Sequence, residues 1–297
     1  MFAVIAGALA ISSGGKGPGT LKIKGSDTML QLVSNFAEAY MENHPKADII
    51  VEGGGSGTGI AALIDGGIDI ANASRKMDQE EVSQAESNGI TPWEFIIGRD
   101  AISIIVHPSN SVDNLTVEEL SGIYRGNITN WEDVGGEDRQ ITLYGRRSTS
   151  GTYVYFRDHI VKADYSDEMY QMTGNQAIVD SVKSDETGIG YVGVGYVTTE
   201  TGDPIDVVKI LNVAIDENSE SVSPLDPYNV KTGEYPIARP LQQYTAGKPE
   251  EGSLIYKFLK FELSKEGEQI IIDTGFYPIT PADNAQNAER FAEIGEG

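Results

Sequence analysis

Strands alternate with helices along the first part of the chain, and each strand ends in a turn of small and polar residues. Leu21 and Ile23 alternate with lysines, which is typical of a strand, and apolar residues at helical spacing follow until Pro45. The same order recurs with strands at 48–51 and 68–71. This alternation predicts a parallel α/β sheet, in which ligands bind at the carboxyl ends of the strands.

Four strand ends carry hydroxyl groups next to the start of a helix. We name them the first turn (Ser26-Asp27-Thr28), the second turn (Ser56-Gly57-Thr58), the third turn (Ser74-Arg75) and the fourth turn (145–152, GRRSTSGT). The first four N–H groups of a helix have no internal acceptor and lie at the positive end of its dipole, so such turns favour an anion. The alternative for each turn is an ordinary helix cap with surface arginines.

Two extended apolar stretches, 95–106 and 237–244, join blocks of α/β pattern, and the first reads as one or two strands. We interpret them as crossings between two lobes, each a mixed sheet flanked by helices. Residues 20–105 and 237–297 then form lobe 1, and 106–236 form lobe 2. The first three turns fall in lobe 1 and the fourth falls in lobe 2, so the four turns are expected to converge on a cleft.

Other local patterns are clear enough to test. Thr116 with Glu119 three residues later predicts a capping box at the start of a helix over 117–124. The polar segment 216–232 is expected to be a loop. Two helical stretches, within 253–263 and 265–275, are expected to close the fold.

Composition excludes several classes of partner and chemistry. The chain has 45 acidic and 22 basic residues, a net charge of −23, and no Lys/Arg stripe, which argues against a nucleic-acid partner. The absence of cysteine excludes disulfides, thiol catalysis and thiolate metal sites.

At the start of the chain, residues 1–19 combine an apolar run with a Gly/Ser tether, which indicates a truncated export signal or anchor. A cloning or gene-prediction remnant is the alternative.

Catalytic motifs are missing from the sequence. His44, His107 and His159 have no evident partner, and no nucleophile elbow or paired-His metal motif occurs. The segment 57–62 fits a degenerate GxGxxA, but no acidic residue closes a following strand about 20 residues on. We therefore expect no enzyme, no cofactor and no metal site.

Arginine and aspartate at the turns suggest which anion is bound. The guanidinium groups of Arg75 and Arg146 offer paired N–H donors that match an oxyanion. Asp27 is either a helix cap or the acceptor of the proton of HPO4²⁻. Sulfate has no such proton, so an acidic acceptor among donors would select phosphate over sulfate.

Seven motifs, taken in order, resemble the phosphate-binding proteins of ABC phosphate importers, a family with the type II periplasmic-binding-protein fold. They are GSDTM, GGGSGTGI, DIANASRKM, GNITNW, GRRSTSGTY, TGIGYVGVGY and YPIARPL, within residues 21–278. The resemblance implies two lobes that close on one phosphate. It assigns the phosphate contacts to Ser26, Asp27, Thr28, Ser56, Ser74, Arg75, Arg146, Ser150, Gly151 and Thr152.

This chain departs from the family pattern at two positions. Many relatives have an Asp where this chain has Arg75, and an acidic residue where it has Ser148. Our hypothesis is that Asp27 has become the proton acceptor and that Arg75 adds a second positive charge, whereas Arg147 only shapes the local field.

The resemblance implies a monomeric extracytoplasmic receptor, tethered or free, that delivers inorganic phosphate to a membrane ABC permease. Two alternatives remain open from the sequence. One is a receptor for molybdate, tungstate or sulfate, and the other is a phosphate-ester hydrolase.

Overall fold

The computed structural model describes residues 19–199 and 202–295. Its strands are β1 (Thr20–Gly25), β2 (Asp48–Glu52), β3 (Ile70–Ala73), β4 (Trp93–Val106), β5 (Asn114–Thr116), β6 (Thr142–Arg146), β7 (Tyr170–Met172), β8 (Gly188–Gly193), β9 (Lys209–Ala214) and β10 (Ala238–Thr245). Its helices are α1 (Leu30–Asn43), α2 (Ser56–Ile64), α3 (Gln79–Ser87), α4 (Val117–Tyr124), α5 (Gly151–Phe156), α6 (Asn175–Ser184), α7 (Pro227–Thr232), α8 (Leu254–Glu262), α9 (Lys265–Asp273) and α10 (Pro281–Gly295).

The main path of the sheet runs β2-β1-β3-β10-β4-β8-β6-β7, and β9 joins β4 to β5. Strands β1, β2 and β3 are parallel to one another, as are β6, β7 and β8. Strand β10 is antiparallel to both β3 and β4. Each half of the sheet is therefore a parallel unit connected through antiparallel crossing strands, which is the predicted two-lobed α/β class.

Strand β4 changes partners along its length. Its residues 93–101 pair with β10, whereas residues 102–106 pair with β8 and β9. It is one continuous strand of 14 residues, so the segment Gly98-Arg99-Asp100 does not interrupt it. A single strand thus runs from one half of the sheet into the other.

Apolar periodicity explains why the first α/β unit forms. Leu21 and Ile23 point inward from β1, and Leu32 and Phe36 on α1 pack in the same core, all at most 2% exposed. Burying side chains of this size contributes about 1.5–3 kcal/mol each. Strand β1 therefore ends at a fixed place under α1, which sets the position of the first turn.

Several local predictions are confirmed. Helix α4 has the predicted capping box, because Thr116 accepts the Glu119 N–H while Glu119 accepts the Thr116 N–H. Helix α1 ends before Pro45 as expected, and β3 starts two residues later than predicted. The predicted helical stretches near the end of the chain are α8 and α9.

Two helices were not predicted. The supposed loop 216–232 contains α7, which is capped by Asp226 and is six residues long with Val230 as its one buried apolar residue, so its periodic signal is weak. Helix α10 was missed because alanine and polar residues dominate its sequence. It is held by tertiary contacts instead: Asn287 bonds both backbone groups of Ile96, and Asp283 pairs with Arg99.

The predicted export signal or anchor in residues 1–19 lies outside the described residues, except for its last position. Among the helices of residues 19–199 and 202–295, none is both long enough and apolar enough to cross a membrane.

Candidate anion-binding site

The four turns meet where the two halves of the sheet face each other. Ser26 Oγ donates to Ser74 Oγ at 2.9 Å, and Ser56 Oγ lies 3.3 Å from Ser74 Oγ. The fourth turn approaches from the opposite side, where the Thr149 carbonyl accepts the Gly57 N–H at 3.1 Å. Hydroxyls from three turns and backbone from the fourth are therefore in one cluster.

Two glycines allow this close approach. A Cβ on Gly151 would lie 2.2 Å from Ser56 Oγ and 2.6 Å from Ser74 Oγ. Gly55 has φ +94°, and a Cβ there would lie 2.5 Å from the Thr149 carbonyl oxygen. Such distances are not compatible with a side chain, so glycine is required where the second and third turns meet the fourth.

Two threonines add a contact between the first and fourth turns. Thr28 Oγ1 and Thr152 Oγ1 are 3.0 Å apart, and both residues are buried. They are 124 positions apart in the chain, so only the tertiary fold brings these hydroxyls together. The pair places a hydroxyl that follows β1 beside one that follows β6.

Ser150 has the local role that its position suggests. Its Oγ accepts the N–H groups of Thr152 at 3.1 Å and Tyr153 at 3.4 Å, so it is the N-cap of α5. By contrast, α2 has no side-chain cap, because Gly55 precedes it. The hydroxyl of Ser150 thus orients the fourth turn, and the start of α2 leaves its N–H groups to acceptors outside the helix.

Asp27 and Arg146 form an ion pair between the first and fourth turns. Arg146 Nη2 donates to Asp27 Oδ2 at 2.5 Å and to the Thr173 carbonyl at 3.2 Å. Asp27 Oδ1 accepts the Gly54 N–H at 2.7 Å. Arg146 is 2% exposed, and its buried Nε has no hydrogen-bond partner among the described residues. One donor of the predicted ligand Arg146 is thus free for an added acceptor.

Arg75 is engaged differently. Its Nη1 and Nη2 donate to the two carboxylate oxygens of Glu81 at 2.7 and 2.6 Å, and Nη1 also donates to the Lys76 carbonyl. The hydrogen bonds that Arg75 donates to the Glu81 carboxylate raise the pKa of the Arg75 guanidinium. Arg75 lies beside the second turn, but its charge is paired within its own segment. The hypothesis that it adds a second positive charge to the site therefore stays a prediction, and the ion pair weakens it.

Arg239 is at the site and was not among the predicted residues. It lies on β10 directly opposite Asp100 on β4, and both side chains are 0% exposed. Its Nη2 donates to Asp100 at 2.7 Å and to Thr152 Oγ1 at 2.9 Å. The sequence carried two signals for it: Arg239 lies in the motif YPIARPL, and it is a charged residue in an apolar crossing stretch.

Charge is balanced around the cluster. Arg146, Arg75 and Arg239 each pair with a carboxylate, from Asp27, Glu81 and Asp100 respectively. Hydroxyl and N–H dipoles therefore face the cleft without a net positive charge from these six groups. An oxyanion held here would be stabilised mainly by directed hydrogen bonds.

The structure brings together most of the predicted site residues. Those within the cluster form the hydroxyl contacts, the Asp27–Arg146 pair or the close approach at Gly151, and they are Ser26, Asp27, Thr28, Ser56, Ser74, Arg146, Gly151 and Thr152. Ser150 caps the helix beside them and Arg75 pairs with Glu81. Within residues 19–199 and 202–295, no group of three or more His, Cys, Asp or Glu side chains is arranged to hold a metal ion.

Comparison with known proteins gives consistent matches over most of the chain. The family model for a PBP superfamily domain matches residues 10–266. The phosphate-binding protein PstS of Pseudomonas aeruginosa is 32% identical over 286 residues, covering 91% of this chain and 86% of the relative. PstS of Bacillus subtilis is 32% identical over 266 residues, covering 89% and 82%.

Solved structures agree with these matches. A Clostridium perfringens substrate-binding protein assigned to phosphate ABC transport, solved with bound phosphate, has a TM-score of 0.75 at 28% identity and covers 88% of this chain and 100% of its own. An ABC-type phosphate transport receptor from Vibrio cholerae has a TM-score of 0.70 at 26% identity, covering 87% and 100%. The chain therefore belongs to the PBP superfamily and, within it, to the family of PstS phosphate-binding proteins.

Proposed function

We propose that this protein is an extracytoplasmic receptor that captures inorganic phosphate between its two lobes by hinge closure and delivers it to an ABC permease. The observation that carries the proposal is the meeting of donors from both lobes at Gly151, where only a glycine fits against the second and third turns. An anion in this cluster would receive hydrogen bonds from both sides only in the closed form. Its binding energy would therefore drive closure.

The proposed phosphate contacts are those implied by the family motifs. The serine and threonine hydroxyls of the turns bond to one another, as in the 2.9 Å contact between Ser26 and Ser74. Phosphate oxygens would replace these contacts and also accept the free Nε–H of Arg146. The proposed contacts are Ser26, Asp27, Thr28, Ser56, Ser74, Arg75, Arg146, Ser150, Gly151 and Thr152.

The proposed hinge follows the change of partners in β4. Residues 20–105 and 237–297 would move as lobe 1, and residues 106–236 as lobe 2. The switch from β10 to β8 after Ala101, together with the Ile102 N–H donated to the Ile237 carbonyl, supports a boundary close to these positions. Two crossing strands at one place allow a rotation of the lobes without disrupting either sheet.

Asp27 is proposed to select phosphate over sulfate. Each of its oxygens accepts one hydrogen bond, from Gly54 or Arg146, whereas an ionised carboxylate has about four acceptor positions. Asp27 can therefore still accept the proton of HPO4²⁻. Sulfate would place an oxygen lone pair against the carboxylate, which costs free energy because no hydrogen bond forms.

We also propose that the protein acts as a monomer without catalytic activity or cofactor. The named relatives are binding proteins and transport receptors. A phosphate-ester hydrolase would need a nucleophile activated by a neighbouring base. The hydroxyls of the turns pair with one another, and the side chain of the carboxylate in these turns, Asp27, accepts from Gly54 and Arg146 rather than from a hydroxyl. Release of phosphate from p-nitrophenyl phosphate by the purified protein would contradict this part of the proposal.

Calorimetric titration of the purified protein with phosphate, sulfate, molybdate and tungstate tests the proposal directly. We expect phosphate to bind in a one-to-one complex and the other three anions to bind at least about a hundredfold more weakly, because a site with one acceptor among donors rejects unprotonated oxyanions. Preferential binding of molybdate, tungstate or sulfate would assign the receptor to another oxyanion.

A further inference from the structure

A buried guanidinium lies behind the anion cluster, on a strand that the predicted contacts do not include. Arg239 donates from Nε and Nη2 to Asp100 Oδ2 at 3.0 and 2.7 Å, while Asp100 Oδ1 accepts the Val194 N–H at 3.0 Å. A buried ion pair is tolerated only when its remaining donors and acceptors are satisfied. The other contacts of Arg239 therefore matter.

Those contacts reach both lobes. Arg239 Nη1 donates to the Ser74 carbonyl at 2.9 Å, and Nη2 donates to Thr152 Oγ1 at 2.9 Å. Thr28 Oγ1 lies 3.4 Å from the same Nη2. One side chain on a crossing strand thus contacts one residue in each of the first, third and fourth turns.

The direction of these hydrogen bonds has a chemical consequence. A guanidinium has five N–H donors and no acceptor, whereas a threonine hydroxyl has one hydrogen. Thr152 Oγ1 must accept from Arg239, so its own hydrogen points to Thr28 Oγ1, 3.0 Å away, or to a ligand. Thr28 Oγ1 likewise faces the Arg239 Nη2 donor, 3.4 Å away, so the hydroxyl hydrogen of Thr28 points away from Arg239.

We infer that Arg239 is a positioning residue that holds the Thr28–Thr152 hydroxyl pair as a hydrogen-bond donor toward the bound anion, with Asp100 holding Arg239 in place. The inference rests on the proposed phosphate-binding function. Because Asp100 balances the guanidinium charge, Arg239 adds no net charge to the site. It acts by fixing the direction in which the two threonine hydroxyls point their hydrogens. Without it, either threonine can rotate and present a lone pair, which repels an anionic oxygen.

A double-mutant cycle separates this role from a purely structural one. The first change is the paired replacement Arg239→Gln with Asp100→Asn, which removes both charges together and avoids an uncompensated buried ion. The second is Thr28→Val with Thr152→Val, which removes both hydroxyls. Phosphate dissociation constants are measured by calorimetry for the wild type, each pair and the fourfold variant, and thermal stability is recorded without phosphate.

We expect the Arg239/Asp100 replacement to weaken phosphate binding about tenfold in the wild-type background and less than about twofold in the double-valine background, since its effect runs through hydroxyls that are then absent. If the Arg239/Asp100 replacement weakens phosphate binding by the same factor in both backgrounds, the inference is overturned. If the paired replacement does not fold, Arg239→Lys is measured in both backgrounds, with a loss of about threefold expected only where the threonines are present. A wild type that binds no phosphate would overturn the proposed function and this inference together, whereas additive losses in a phosphate-binding wild type overturn the inference alone.

Discussion

Arg146 is the last residue of β6 and Arg75 lies two residues after β3, yet these two strand-end arginines pair with carboxylates in different ways. Arg146 contacts Asp27, 119 positions away on the facing turn, whereas Arg75 contacts Glu81, six positions away in its own segment. In the proposed hinge closure, the local pair would persist in both forms, because its two groups are only six positions apart. The distant pair would form only when the first and fourth turns meet. Of the two arginines, only Arg146 would therefore change its ion pairing on closure.

Among the substitutions that test this comparison, Arg146→Ala is expected to weaken phosphate binding the most. Removing the guanidinium deletes the free Nε–H and leaves Asp27 without its cation, so phosphate should bind at least about tenfold more weakly. Calorimetry with phosphate measures the change. Arg147→Ala is the matched control, because Arg147 is exposed on the same turn and its removal changes net charge equally. An unaltered affinity for Arg146→Ala would refute its assignment as a ligand.

Gly151→Ala tests whether the contact between lobes is itself needed. The new methyl group would lie 2.2 Å from Ser56 Oγ, so full closure would be blocked and phosphate affinity should fall by about tenfold. Small-angle X-ray scattering with phosphate should show a larger radius of gyration than the wild type. Gly247→Ala is the control, since a Cβ there has no heavy atom within 4 Å. Equal compaction of both variants would show that closure does not depend on this contact.

Asp27→Asn should reduce discrimination more than affinity. The amide keeps a similar shape but removes the charge that rejects sulfate, so the ratio of sulfate to phosphate dissociation constants should fall about fivefold. Competition titrations at pH 7 measure that ratio. Asp273→Asn, on the exposed end of α9, controls for the change in net charge. If discrimination is unchanged, Asp27 is not the acceptor of the phosphate proton.

Arg75→Gln should have the smallest effect on binding. Its loss removes a local ion pair with side chains 10% and 19% exposed, so we expect a loss of about 2 kcal/mol in unfolding free energy but less than a threefold change in phosphate affinity. The companion variant Glu81→Gln preserves the capping pattern of α3 and leaves Arg75 without a carboxylate, and should strengthen phosphate binding about twofold. If Arg75→Gln weakens phosphate binding as much as Arg146→Ala does, the two arginines contribute equally to binding and the distinction between them is wrong.

Local patterns predicted much of this molecule because their physical causes are local. Alternating apolar residues placed β1, helical spacing placed α1, and the Thr116–Glu119 pair marked the start of α4 within a single turn. Hydroxyls beside unpaired N–H groups identified the four turns for the same reason. Helix α10 escaped prediction because its stability comes from Asn287 and Asp283 contacting β4, about 190 positions earlier in the chain.

The sequence alone determined the two-lobed α/β class, the turns that supply donors and the family resemblance, since each depends on residue type and short spacing. Tertiary structure decided which carboxylates Arg146 and Arg239 bind. It joined Arg146 to Asp27 across the cleft, and it set Arg239 against Asp100 through the register of two crossing strands. Ion pairing depends on distance in space and on burial. For groups more than a hundred positions apart, both are properties of the folded chain.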